Sequence, residues 1–270
     1  MAATMKGAIS FGLLHVPIAL HTATQDNDIR FNQLCREDGS RIKYKKVCSS
    51  CGKEVGTNDI VKGFEIEPGR YVTLTDEDFE KAKAAKDRTI HILHFADIHD
   101  IRPIFFDKTY HAVPEAGGDK AYELLRRCMK EENTVAIAKG VIGQSEHLLA
   151  LIPTDTGILA ETLFFNDEVK AVPKEPAKPE LSEQELSMGK TVIGSMKESF
   201  EPAKYHDEYR QRLWEIIQAK ANNQEITDTP EEPSTNIINL MEALQQMVEQ
   251  TKDKETPPKK TRSRKKVSAS

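Results

Sequence analysis

The sequence predicts a mainly β fold, a barrel or curled sheet followed by a helical arm, on three observations. Many short runs rich in β-branched and aromatic residues fill the first 172 or so positions. Only two helix-like stretches interrupt them. A proline-rich break at 173–180 then separates these runs from segments of helical periodicity. The chain has 270 residues, 38% hydrophobic and 30% charged, which suits one folded body with polar appendages. No apolar run approaches the ~18–20 residues that cross a bilayer. The opening apolar stretch is interrupted by Ser10, His15 and Pro17 and lacks a small-residue cleavage site, so no signal peptide is expected. Four cysteines do not make a disulfide scaffold, and the expectation is a cytoplasmic protein with no membrane partner.

The elements follow in order. GAISFGLL and VPIALHTAT are expected as strands around a break at Pro17. Further strands are expected at 41–47, 69–74, 89–95, 103–113, 134–142, 147–154 and 157–165. Asp155-Thr156-Gly157 marks a hairpin in which Gly157 can supply a positive φ. One helix starts near Thr75, a capping residue followed by Asp76, Glu77 and Asp78. Another spans about 119–131, with Tyr122, Leu125 and Met129 along one side and Cys128 as a small buried thiol. Residues 173–180 form a linker that continues neither ladder nor helix. In the helical arm, 181–226, Ser182 and Glu185 make a capping box and Pro202 opens a second helix with a stripe from Tyr205 to Ile217. Residues 227–250 give a second linker and an amphipathic helix, about 235–250, which docks either on its own body or in a partner's groove. The sequence shows no internal repeat.

Charge is unevenly spread. Residues 257–270 hold Lys259, Lys260, Arg262, Arg264, Lys265 and Lys266 and no acid, so this stretch is +6 within a chain of net charge -5. Residues 1–256 therefore carry -11. A disordered basic tail, 251–270, on an acidic body suggests a polyanionic partner, nucleic acid or an anionic membrane surface, or else a solubilising end. If about four of the six charges each contact a phosphate, log K gains a salt slope of roughly -3.6.

Two clusters invite chemistry. Cys48-x-x-Cys51 followed by Gly52 has the spacing of a structural zinc knuckle, and Cys35 would be a third donor. A fourth is not evident. His21, a ligand from a second protomer, or no metal at all remain open, so zinc is a possible structural ion and no cofactor is required. His91, His94, Asp97, His99 and Asp100 lie within ten residues and could hold a divalent ion for phosphodiester cleavage. On a regular strand, however, His91 and His94 face opposite sides, and solvent-facing structural residues are the stronger reading. No Gly-rich or GK[ST] phosphate loop occurs, which argues against nucleotide hydrolysis.

Several stretches together resemble the bacterial Ku family. They are the opening Lys6-Gly-Ala-Ile-Ser-Phe-Gly-Leu-Leu-His-Val-Pro-Ile, Gly39-Ser-Arg-Ile-Lys-Tyr-Lys-Lys-Val-Cys-Ser-Ser-Cys-Gly and Asp59-Ile-Val-Lys-Gly-Phe-Glu. Gly69-Arg-Tyr-Val-Thr-Leu-Thr-Asp-Glu-Asp, Glu198-Ser-Phe-Glu-Pro-Ala-Lys-Tyr-His-Asp-Glu-Tyr-Arg and Asn239-Leu-Met-Glu-Ala-Leu follow in the family's order. The resemblance implies a Ku-core (SPOC-like) β-barrel with a dimer bridge over 1–172 and a helical C-terminal arm. It implies a homodimeric ring that threads onto double-stranded DNA ends irrespective of sequence, in non-homologous end joining of double-strand breaks. It also implies recruitment and stimulation of the ATP-dependent DNA ligase LigD, through a helix that here holds Leu240, Met241, Leu244 and Met247. Such a protein is not an enzyme and is nucleoid-associated.

Threading needs phosphate contacts without base readout. Arg41, Lys43 and Lys45, if on a strand, share one face while Ile42 and Tyr44 anchor the other, and the alternative is an ordinary solvated strand face. Lys46, Lys53, Lys62 and Arg70 are further candidates, as are Arg102 and Lys108. The rival readings are a metal-dependent nuclease at 91–100 and a zinc-knuckle DNA-binding regulator that reads sequence.

Overall fold

In the computed structural model, which describes residues 3–82, 88–174 and 177–222, the chain divides into two compact units between Val172 and Pro173. The first unit is built on a closed seven-stranded barrel. Its strands are β1 (Met5–Phe11), β2 (Leu14–Thr22), β5 (Thr89–Asp97), β6 (Phe106–Pro114), β7 (Thr134–Ile142), β8 (Ser145–Pro153) and β9 (Ile158–Leu163). Around the barrel they run β1-β2-β6-β9-β8-β7-β5, and every neighbouring pair is antiparallel except β1 with β5, which closes the barrel in parallel.

Alternation along each strand decides what fills the barrel. Ala136 and Ala138 of β7, Leu149 and Leu151 of β8, Ile158 and Ala160 of β9 and Ile18 and Leu20 of β2 meet in one buried cluster. Their neighbours Val135, Ile137, Ala150 and Leu163 face outward into a second cluster, covered by the segment that carries Ile98, Ile101 and Phe105. β7 is thus buried on both sides, which explains its almost unbroken apolar sequence.

The helix α2 (Asp119–Glu131) lays Tyr122, Leu125 and Met129 on the barrel core. Buried Tyr122 is its fastener. The hydroxyl donates to the Ala112 carbonyl and accepts from the Ile158 amide, both at 2.7 Å. Burial, first of all, pushes the phenol above its ordinary value. Glu123 on the same helix binds Arg126 and Arg127. Hydrogen bonds from Arg126 and then Arg127 hold the Glu123 carboxyl down at about 2. A depressed carboxyl stabilises the fold above its ordinary value of 4.5 and loses that contribution as pH falls towards 2. Glu123→Gln is therefore expected to lower the urea midpoint at pH 6 but to match the parent near pH 2. A gap that persists undiminished at pH 2 would show that the effect is not ionic.

Several local expectations need correction. The first strands break at Gly12-Leu13, not at Pro17, which sits inside β2 opposite Ala8. Gly157 is not left-handed; the turn is closed instead by Thr154, whose hydroxyl accepts from the Gly157 amide at 3.0 Å. Residues 103–105 form a 3-10 turn before β6 rather than part of the strand. Cys128 is exposed, because it lies beside the buried stripe of α2 rather than on it.

In the second unit, helix α3 (Glu183–Ser195) starts at the expected capping box, with Ser182 accepting from Glu185 and the Glu185 carboxylate returning to Ser182. Pro202 opens only a 3-10 turn, and α4 (Glu208–Ala221) begins afresh with Asp207 as its cap. Phe200 and Tyr205 stack with centroids 5.5 Å apart. Residues 223–270, which include the amphipathic segment and the basic tail, lie outside the described residues. Among the described residues no helix is long and apolar enough to cross a membrane.

Candidate nucleic-acid interface

The segment between β2 and β5 leaves the barrel and contains no buried residue from 24 to 79. It consists of an irregular ribbon, a two-stranded hairpin of β3 (Lys62–Glu67) and β4 (Arg70–Leu74), and helix α1 (Asp76–Ala82). Thr75 caps α1 as expected, with the Asp78 carboxylate accepting from its amide at 3.0 Å.

Residues 41–47 are not a strand. They pair only at their ends, Arg41 with Leu34 and Val47 with Glu54, because the backbone partner changes side midway. The Ile42 amide donates to Gln33, whereas the Lys46 carbonyl accepts from Val55. Nor is the shared cationic face that a strand would create available, since its pleat is missing.

The ribbon is in fact a repeat that the sequence reading missed. In each half a cysteine amide donates to the carbonyl five residues on, Cys35 to Ser40 at 2.8 Å and Cys48 to Lys53 at 2.9 Å. Each cysteine carbonyl accepts from a glycine four residues on, Gly39 or Gly52, at 2.9 Å. Both glycines have φ of +68°, the left-handed conformation that turns the chain back. Asp38 stands in the first turn where Cys51 stands in the second. The signal available was the pair Cys-x-x-Asp-Gly and Cys-x-x-Cys-Gly, 13 residues apart.

Each turn gathers two donors. The Asp38 carboxyl is held below its ordinary value by the Ser40 amide, the Ser40 hydroxyl and the Cys35 thiol, in that order. The Cys48 thiol is lowered by the amides of Cys51 and Ser50 and by the Cys51 thiol. Among the described residues, no group of three His, Cys, Asp or Glu is placed to hold a metal, so Cys35, Cys48 and Cys51 do not meet. His21, a possible fourth donor, lies on β2 opposite His111 in the barrel.

The 91–100 cluster also fails to assemble. A bulge between Ile92 and His94 resets the alternation, so His91 opposite Lys139 and His94 opposite Ile137 share the outer face, contrary to a regular strand. Asp97 instead accepts from the His99 amide at 2.8 Å and caps a short turn.

What remains is charge. Residues 41–53 carry Arg41, Lys43, Lys45, Lys46 and Lys53 with no acid. Lys45 is tied to Glu54 at 2.8 Å and Arg70 to Glu67 at 3.5 Å. Lys62 lies 4.5 Å over the Phe79 ring, and Arg102 5.3 Å from the Phe105 ring. Lys43, Lys46 and Lys53 make no ion pair among the described residues and stand open to an anion.

A closed barrel from which a ribbon projects with an acid-free cationic stretch at 41–53 has the features of a phosphate-backbone binder. Comparison with known proteins gives the family. The sequence model of the Ku70/Ku80 β-barrel domain matches residues 10–188. The non-homologous end joining protein Ku of Lachnoclostridium phytofermentans is 50% identical over 252 residues, 93% of this chain and 98% of that protein. The proteins of the same name from Archaeoglobus fulgidus and Bacillus subtilis are 40% and 37% identical, each over 93% of this chain and over 100% and 84% of their own lengths. The chain belongs to the Ku family.

Proposed function

We propose that the protein binds double-stranded DNA ends without reading sequence, as a homodimeric ring, in non-homologous end joining. The observation that carries this reading is the ribbon: five cations within 41–53 and no acid, on a barrel of the Ku family. Cations that meet phosphates do so whatever the base sequence. Dimerisation is supported by the same segment. Phe31, Leu34, Tyr44, Val61, Phe64 and Tyr71 are all exposed there, more apolar surface than a lone chain ordinarily leaves to water. A second copy of the chain covers it in this reading. The protein acts without catalysis, as a DNA-bound platform associated with the nucleoid. Leu240, Met241, Leu244 and Met247 recruit and stimulate the ligase LigD, and the basic stretch Lys259–Lys266 adds non-specific affinity.

The test compares one plasmid, closed circular and linearised, in a gel shift with Mg²⁺ present. A ring threads only from an end, so a shift confined to the linear form is the expected result. Equal retention of both forms would replace threading by surface binding, and shortening of the linear DNA would favour the nuclease.

A further inference from the structure

We propose that Cys48 and Cys51 form a dithiol that peroxides oxidise reversibly to a disulfide within the ribbon. The turn that joins them is built for proximity. The Gly52 amide donates to the Cys48 carbonyl at 2.9 Å and the Cys48 amide to Lys53 at 2.9 Å, closing the four residues on themselves. Residues three apart across such a turn have Cα atoms less than ~7 Å apart, inside the separation of about 4.4–6.8 Å that a disulfide spans. Cys51 is exposed and Cys48 half-buried, so both are open to a small oxidant. All four cysteines are free thiols.

The chemistry balances with a peroxide as the oxidant. The Cys48 Sγ attacks one peroxide oxygen, the O–O bond breaks, and the thiol proton leaves with the departing oxygen as water or alcohol. This gives a sulfenic acid on Cys48. The Cys51 Sγ then attacks that sulfur, the S–S bond forms, and the sulfenic oxygen leaves as water with the Cys51 proton. Two thiols are oxidised and one peroxide is reduced. The first turn cannot do the same, because Asp38 occupies the place of Cys51. Cys35 and exposed Cys128 are therefore controls within the molecule.

The oxidation is independent of the DNA reading and can be tested without DNA. The full chain, dialysed against a chelator, is treated with hydrogen peroxide and mapped by mass spectrometry. The expected product is a peptide with both Cys48 and Cys51 that is lighter by about 2 Da and restored by a thiol reductant. Both of its thiols should be lost together, whereas Cys128, which has no resolving partner, should give no intramolecular disulfide. In Cys51→Ser, a cyclic diketone should instead trap the sulfenic acid on Cys48. Cys48 and Cys51 thiols that survive the treatment, or a product that is intermolecular or over-oxidised, would overturn the proposal.

Discussion

Replacing Gly7 by valine is expected to prevent the barrel from closing. A Cβ at Gly7 would lie 1.9 Å from the Arg88 carbonyl oxygen, a backbone atom that cannot swing away. That carbonyl accepts from the neighbouring Ala8 amide at 3.2 Å, at the start of the parallel pairing between β1 and β5. Among the described residues three registered pairs, Ala8–Thr89, Ile9–Ile90 and Ser10–His91, hold this seam. Forcing it apart also exposes Ile9 and Ile90, both fully buried. Losses of this kind exceed about 4 kcal/mol, of the order of a domain's whole stability. Denaturant unfolding by circular dichroism would show it, and a Gly7→Val chain with an unshifted midpoint would mean that the seam does not carry the barrel. Gly12→Ala serves as contrast: its φ is +58° but a Cβ there meets nothing within 4 Å, so only local backbone strain is added.

Neutralising Lys43, Lys46 and Lys53 together is expected to give a large loss of DNA affinity. If each meets one phosphate, Lys→Gln at all three lowers the slope of log K against log salt by about 2.7. At ~0.1 M salt this corresponds to a loss of several hundredfold. The structure sharpens the choice of residues. Lys45 and Arg70 already hold Glu54 and Glu67, so their replacement frees a carboxylate as well as removing a cation. Fluorescence anisotropy of a labelled linear duplex across a salt series gives both quantities. An unchanged slope in the triple variant would move the phosphate contacts away from the ribbon.

The barrel was largely legible because its signals are local. Residues 134–142 and 119–131 become β7 and α2 with the expected ends, since alternation and a single apolar stripe suffice to define them. The ribbon was not legible for the opposite reason. Arg41–Val47 has the composition of a strand, but a strand requires a continuous partner, and here the partner changes between Ile42 and Lys46. The bulge at Leu93 likewise depends on its pairing with β7, so the common face of His91 and His94 could not be counted off the sequence. The repeated turn was visible in the letters, yet aspartate in place of cysteine concealed it. The cations were found by type, whereas their division into paired and open groups needed the positions of Glu54 and Glu67.

The order of the strands has a consequence for synthesis. β1 and β2 are made first, but their outer partners, β5 and β6, come from beyond the ribbon. Sixty-seven positions separate Thr22 at the end of β2 from Thr89 at the start of β5. At about 5–20 residues per second the ribosome needs roughly 3–13 s to cover them. For that time the first hairpin has both edges open, a template for unwanted pairing. Pro17, which has no amide to offer along one edge, lies where that exposure is longest. The ribbon is thus the interval the nascent barrel must wait through before it can close.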